Sequence, residues 1–355
     1  MSDGGLAGLL AGRGVRVGDY AGATTAAAYG DVEAEWRALD GKAALLDLRW
    51  RRSIIAEGEE RAEFLQGQLS GDIVSLGSGD GAPALALSAQ GRTESMLAVY
   101  NRGDTFEICV DASLLDDTGK RLEQFLVADD VEFAVCPPCD RIGVVGPGAA
   151  AVLAEVGVSL PSDEPTGGGW FYATAEIDGL AVRVLGRGDL RVPLVELVVD
   201  GDGAAVWERL ERAGAVPAGT DALEVLRVES GTPRYGVDVD TSRVAIEARL
   251  EWAIHFDKGC YVGQEIVERA VSRGRLVREL CLLAPDAPVG AGDVISDRGD
   301  KDTVTSVVRS PRLGLVCLAY VPCEQAAPGT SVTIGAAAVA ARVLEWPRPR
   351  ELGGR

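Results

Sequence analysis

Residues 257–265 read DKGCYVGQE, which sets a lysine, a cysteine, a glutamine and a glutamate around two glycines. Upstream, RLEWAIHF (249–256) spaces its apolar residues for partial burial. Downstream, IVERAVSRGRLVREL (266–280) places Ile266, Val267, Ala270 and Val271 at helical spacing. The stretch therefore predicts a glycine-jointed loop feeding a helix that begins near Gly263. A thiol just before a helix N-terminus lies in a positive partial field, and Lys258 would add a full charge, so both favour a Cys260 thiolate. A tight loop with an inert, half-buried cysteine is the alternative that spacing alone leaves open. The arginines that follow, Arg269, Arg273, Arg275 and Arg278, read either as a solvated helix face or as a pocket rim that steers an anionic ligand.

The rest of the chain sets the limits. At 355 residues it is long for one hydrophobic core, so more than one domain is expected. With 47% hydrophobic and 25% charged residues it has the composition of a globular protein rather than a disordered one. A net charge of −19 opposes attraction to nucleic acid and to anionic membrane, so no direct nucleic-acid and no membrane partner is expected. No apolar run approaches the ~20 residues that span a bilayer, and the N-terminus lacks the pattern of a signal peptide. A cytoplasmic location is expected. Seven cysteines, an odd number, do not suggest a disulfide framework. Cys136 and Cys139 form CPPC, read as a structural loop because a strand-like run follows and no second CxxC exists for a zinc site. Cys109, Cys281 and Cys317 lie in strand-like runs and read as buried small hydrophobes.

Periodicity orders the remaining segments. Residues 43–58 read as strand, turn, strand, and 58–73 as a helix burying Phe64 and Leu65. Residues 82–112 read as a three-stranded meander turning at Gln90-Gly91 and Arg102-Gly103. A helix and strand follow over 113–135. RIGVVGPGAAAVLAEVG (141–157) reads as a strand, a glycine turn and a helix; it lacks the Lys-Ser/Thr of a phosphate loop. PSDEPTGGGW (161–170) reads as a flexible loop, 171–214 as strands closed by an amphipathic helix, and 220–236 as a capped helix ended by Gly231. Beyond residue 278 the texture changes to short strands and turns. The expected organisation is α+β: two α+β subdomains over 1–278, joined near 161–170, then a β-barrel domain over 279–355.

These segments carry a resemblance. DKGCYVGQEIVERAVSRGRLVREL (257–280) resembles the signature of the YgfZ-type folate-binding proteins, K-G-C-[YF]-x-G-Q-E followed by spaced arginines. DALEVLRVESGTPRYGVDVD (221–240) is similar to a block shared by that group and the T-protein (aminomethyltransferase) of the glycine cleavage system. The segments 60–73, 141–153 and 303–321 also resemble this superfamily, so the likeness runs from about residue 30 to about 345. It implies a cloverleaf-like, multi-part fold around a folate pocket, with tetrahydrofolate or a one-carbon derivative as cofactor. It implies that Glu196 binds the pterin end and Arg227 the glutamyl tail. A carboxylate suits paired amino and N–H donors, and a guanidinium forks onto a carboxylate. Around Cys260 and Lys258, the expected catalytic pair, it implies ligand contacts from Gly259, Tyr261, Gly263, Gln264, Glu265 and Arg269. Gly259 and Gly263 would let the loop pass close to the ligand, and Gln264 and Glu265 would brace it.

The resemblance further implies a role in assembling or repairing iron–sulfur proteins, tRNA-modifying enzymes included, with such client or assembly proteins as partners. One departure bears on the T-protein's own chemistry. Where that family places an aspartate after the meander turn, this chain has Ser95 or Met96, neither of which is a carboxylate base. Two other classes remain: a folate-dependent aminomethyl or methyl transferase, and a scaffold that kept the fold without the ligand.

Overall fold

The structure, a computed structural model, describes residues 5–161, 169–273, 276–295 and 302–348. The expected loop 161–170 and Arg275 therefore lie largely or wholly outside the described residues, as does the side chain of Arg273. The chain forms two compact units: Met1–Gln66 with Asp72–Ala84 and Leu97–Leu223, and Gly67–Gly71 with Leu85–Met96 and Glu224–Arg355.

The elements come in close alternation. They begin with α1 (Leu6–Gly12), β1 (Arg16–Tyr20), β2 (Ala23–Ala28), α2 (Val32–Gly41), β3 (Ala44–Asp47) and β4 (Arg51–Glu57). There follow α3 (Arg61–Gln68), the meander β5 (Gly81–Leu87), β6 (Thr93–Asn101) and β7 (Phe106–Asp111), then α4 (Leu115–Glu123) and β8 (Glu132–Val135). Next come β9 (Asp140–Val145), α5 (Ala149–Glu155), β10 (Tyr172–Ile177), β11 (Leu180–Arg187), β12 (Leu194–Val199), α6 (Gly203–Arg212), β13 (Val216–Pro217) and α7 (Thr220–Glu229). The chain continues through α8 (Gln264–Arg273), β14 (Arg278–Pro285), β15 (Val304–Ser310), β16 (Gly314–Pro322), β17 (Ser331–Ile334) and β18 (Val339–Val343).

In the first unit, β12 decides the layering. Its sequence LVELVV is buried at all six positions, as expected of a strand covered on both faces. It lies between β11 and β9 in a six-stranded sheet of order β10-β11-β12-β9-β3-β13. Val195, Leu197 and Val199 face a core closed by Leu6 and Leu10 of α1, Leu153 of α5 and Trp207 of α6. The alternate face carries Val198 against Ala98, Tyr100 and Cys109 of the sheet β5-β6-β7-β4-β8. Two of the helices start where a carboxylate caps them. Asp31 accepts from Glu33 N at the head of α2, and Asp202 from Ala204 N and Ala205 N at the head of α6. The glycine turn after β9 is a packing device rather than an anion cradle. Gly146 has φ +107, and a Cβ there would sit 2.4 Å from Lys42 O.

In the second unit, β14 and β16 are also covered on both faces. Leu280, Leu282, Leu318 and Tyr320 enter one core, while Cys281, Leu283, Cys317 and Ala319 enter another, the period of two expected of strands. The C-terminal strands form an antiparallel sheet of order β15-β16-β14-β18-β17. Among the described residues its edge strands β15 and β17 do not pair with each other directly, so these five strands alone do not close into a barrel. The segment 292–295 lies between the two edges: Gly292 N donates to Val304 O and Val304 N to Asp293 O on the β15 side, while Gly335 N, just past β17, donates to Val294 O. The 278/279 division expected from sequence texture falls inside this unit, at the first residues of β14. No helix among the described residues is long and apolar enough to cross a membrane.

Candidate functional site

Glu196 is the single charged residue of β12, and its side chain is fully buried. β12 places it opposite Leu185 of β11 and Gly143 of β9, on the face shared with Val198. Arg141 of β9 donates to Glu196 Oε1 through one terminal nitrogen and to Ser53 Oγ through the other. Ser53 Oγ in turn donates to Glu107 at 2.6 Å, and Arg183 donates to both Glu107 oxygens at 2.7 Å. The second Glu196 oxygen, Oε2, is buried without a hydrogen-bond partner. Arg51 Nε stands 3.9 Å from it, too far for a bond, and is itself unpaired. Burial works to raise the Glu196 pKa, but Arg141, Arg51 and Arg187 together outweigh it and hold the carboxyl below its ordinary value. The result is a buried, ionised carboxylate with one oxygen bonded to Arg141 and the other without a hydrogen-bond partner.

The loop of residues 257–265 belongs to the second unit. Tyr261 is buried, while Cys260 and Gly259 are exposed. Lys258 is 8% exposed, and its ammonium donates to the backbone oxygens of Leu69 and Gly71, both at 2.6 Å. It also stands over the Tyr261 ring at 5.2 Å. Lys258 thus ties the loop to the segment Gly67–Gly71, where the sequence had it assisting the thiol. Gln264 Oε1 accepts from Tyr261 N at 3.3 Å, and Gln264 Nε2 donates to Glu268 at 2.6 Å, so Gln264 braces the first turn of α8. Glu265 and Arg269 are exposed and pair with each other along the helix. Gly263 has φ +88, and a Cβ there would come within 2.6 Å of Ser88 O; its freedom is needed to pass the chain's own backbone. At Gly259 a Cβ would meet nothing within 4 Å.

Arg227 sits on α7, 4% exposed. Its Nε and one terminal nitrogen donate to the two Glu224 oxygens at 2.8 and 2.7 Å. The remaining N–H groups go to Thr232 O at 3.0 Å, Asp238 Oδ2 at 2.6 Å and Ser306 Oγ at 2.7 Å. A guanidinium has five N–H donors, and these bonds account for all of them. The glutamyl-tail role expected for Arg227 would require exchanging bonds that hold α7 to β15.

Comparison with known proteins places the chain in a family. The family model described as GCVT N-terminal domain matches residues 6–258. The chain belongs to this family. Similar curated proteins include an aminomethyltransferase of Streptomyces avermitilis, 30% identical, with 90% of this chain and 88% of the relative covered. Another aminomethyltransferase, of Rubrobacter xylanophilus, is 28% identical over 94% of this chain and 90% of its own. A putative chloroplastic transferase of Arabidopsis thaliana is 26% identical, covering 84% and 69%. Among solved structures, glycine cleavage system aminomethyltransferase T from Bartonella henselae superposes with a TM-score of 0.83 over 96% of both chains, at 24% identity. The fold is the aminomethyltransferase T fold.

Within this GCVT-type chain, Ser95 is buried and Met96 is half-buried against the core of the second unit. Neither position carries a carboxylate. The sequence reading missed Arg141, which bonds Glu196, and Ser53, Glu107 and Arg183, which continue the network from Arg141. Their signal was present: Glu107 in FEICVD and Arg141 in DRIGVV are charges inside apolar strands, and a charge buried in such a run needs a partner. Among the described residues no group of three or more His, Cys, Asp or Glu side chains is placed to hold a metal ion.

Proposed function

We propose that the chain binds tetrahydrofolate or a one-carbon derivative through Glu196 and serves in the assembly or repair of iron–sulfur proteins. The observation that carries the folate part is the unpartnered, buried Oε2 of Glu196. An orphaned acceptor on an ionised carboxylate fits the amino and N–H donors of a pterin, because a buried acceptor left unmade costs about 1–3 kcal/mol that a ligand donor recovers. Arg141 holds the other oxygen and so fixes the direction in which Oε2 points. The tail end fits less well, since the N–H groups of Arg227 are engaged within the protein. Bound folate would supply a carrier for a one-carbon unit.

The iron–sulfur part rests on the Lys-Gly-Cys signature and on the exposure of Cys260, which leaves the thiol accessible to a partner. With Lys258 and Gln264 bracing the loop, Cys260 is presented on a fixed support. Tyr261, Glu265 and Arg269 remain expected contacts to the folate ligand. A second reading, a folate-dependent one-carbon transferase, is favoured by the aminomethyltransferases that match along nine-tenths of the chain. Against it stand Ser95 and Met96, which offer no carboxylate to the transfer step.

Calorimetric titration of tetrahydrofolate into wild type, Glu196→Gln and Cys260→Ser tests the reading. The glutamine keeps an oxygen for Arg141 and removes the charge. Binding lost in Glu196→Gln and kept in Cys260→Ser is the expected result. Absence of binding to any reduced folate would sink both folate readings, and aminomethyl turnover by the wild type would move the conclusion to the transferase.

A further inference from the structure

The strand β8 ends the sheet β5-β6-β7-β4-β8, and among the described residues no strand pairs with its outer side. Its register against β4 pairs Val135 with Ile54, Ala134 with Ile55 and Phe133 with Ala56. One step further on, Cys136 N donates to Ser53 O at 2.9 Å. Cys136 thus stands in a hydrogen-bonded pair, and by the two-residue alternation of an antiparallel ladder so do Ala134 and Glu132. The N–H and C=O groups of Phe133 and Val135 therefore face away from β4. They form a short, unsatisfied edge. Pro137 and Pro138, which have no N–H, end it.

The stretch of chain around this strand is unusual in two respects. Val127 is 93% exposed, Val135 53% and Phe125 37%, so three of the chain's large exposed hydrophobics fall within eleven residues. From residue 112 to 138 the exposed charges are Asp116, Asp117, Glu123, Asp129, Asp130 and Glu132, against Lys120 alone. A second copy of the chain would bring the same carboxylates face to face, at a net charge of −19 each. A basic partner meets no such repulsion.

We propose that the outer edge of β8 is a docking strand for an extended segment of another protein, one that alternates basic and apolar residues. The segment adds to the sheet beside β8, with main-chain bonds to Phe133 and Val135 supplying register. Its apolar side chains meet Val135, and its cations meet Glu132 and the Asp129 and Asp130 that lead into the strand. The short edge limits the contact to a few residues, so the binding is reversible rather than obligate.

The test uses the full chain and a fluorescent peptide of three Lys-Val repeats, followed by anisotropy, with a Glu-Val peptide of equal length as control. Val135→Pro removes one outward N–H while leaving the Ala134 and Cys136 bonds to β4 in place. The expected result is saturable binding of the Lys-Val peptide alone, weakened at least tenfold in Val135→Pro. A second measurement does not depend on that variant folding: methylating the backbone nitrogens on alternate peptide residues should abolish binding for one set and spare it for the other. Equal binding by Val135→Pro and wild type, with both methylated peptides equivalent, would show attraction by charge alone and overturn the proposal. Failure of wild type to bind the peptide, or a wild-type dimer that Val135→Pro dissolves, would overturn it as well.

Discussion

The Lys258 ammonium donates to the carbonyl oxygen of Leu69, 189 residues earlier in the chain, over 2.6 Å. A second bond of the same length reaches Gly71. The most conspicuous cation of the Lys-Gly-Cys signature is therefore a fastener between chain segments.

Replacing it with methionine leaves two carbonyl oxygens without their donor. Lys258→Met should lower unfolding stability by about 2–4 kcal/mol, read from urea melts, because each unmade buried bond costs about 1–3 kcal/mol. The rate of Cys260 alkylation by iodoacetamide, measured well below the melt, should change little. A large fall in that rate without loss of stability would instead restore Lys258 to the role of thiolate partner.

Glu196 gives a pH dependence with a definite sign. Its folded pKa lies below the ordinary 4.5, so its contribution to stability is complete above that value. The contribution is lost as the pH falls through the folded pKa, since protonation is then easier in the unfolded chain. Stability of the wild type should therefore drop below pH 4.5 more steeply than that of Glu196→Gln. Parallel acid limbs in the two proteins would mean that Arg141 does not hold the carboxylate as charged.

Arg227 separates an internal role from a ligand role. Lysine lacks the planar fork and cannot reach Glu224, Asp238, Thr232 and Ser306 together, so Arg227→Lys should cost about 2–4 kcal/mol of stability. The ratio of affinities for mono- and triglutamylated tetrahydrofolate should stay as in wild type. A selective loss of affinity for the longer tail would show that the guanidinium exchanges its internal bonds for ligand.

The sequence disclosed what local chemistry determines. The meander turns at Gly91 and Gly103 both fall at positive φ, α8 starts at Gln264 beside the expected Gly263, and Cys109, Cys281 and Cys317 are buried as their strand-like settings implied. Burial pushes the Cys109 thiol up to about 11 and those of Cys281 and Cys317 to about 12, which leaves them unreactive near neutrality. Long-range partners were hidden. Nothing in the neighbourhood of Lys258 names Leu69, and nothing around Glu196 names Arg141, since those pairings are fixed by strand order. The way the edges of the C-terminal sheet approach each other was hidden for the same reason: residues 292–295 bond to Asp302 and Val304 on one side and to Gly335 on the other.

The second unit draws residues from Gly67–Gly71, Leu85–Met96 and everything after Leu223. A ribosome releasing this chain from its N-terminal end delivers the first two pieces long before the third. Those early segments must wait, unassembled, for more than a hundred residues of synthesis before Lys258 arrives to fasten Leu69. Folding of that unit is therefore a late event with a large loop-closure cost, and it exposes the newborn chain to misassembly for most of its time on the ribosome.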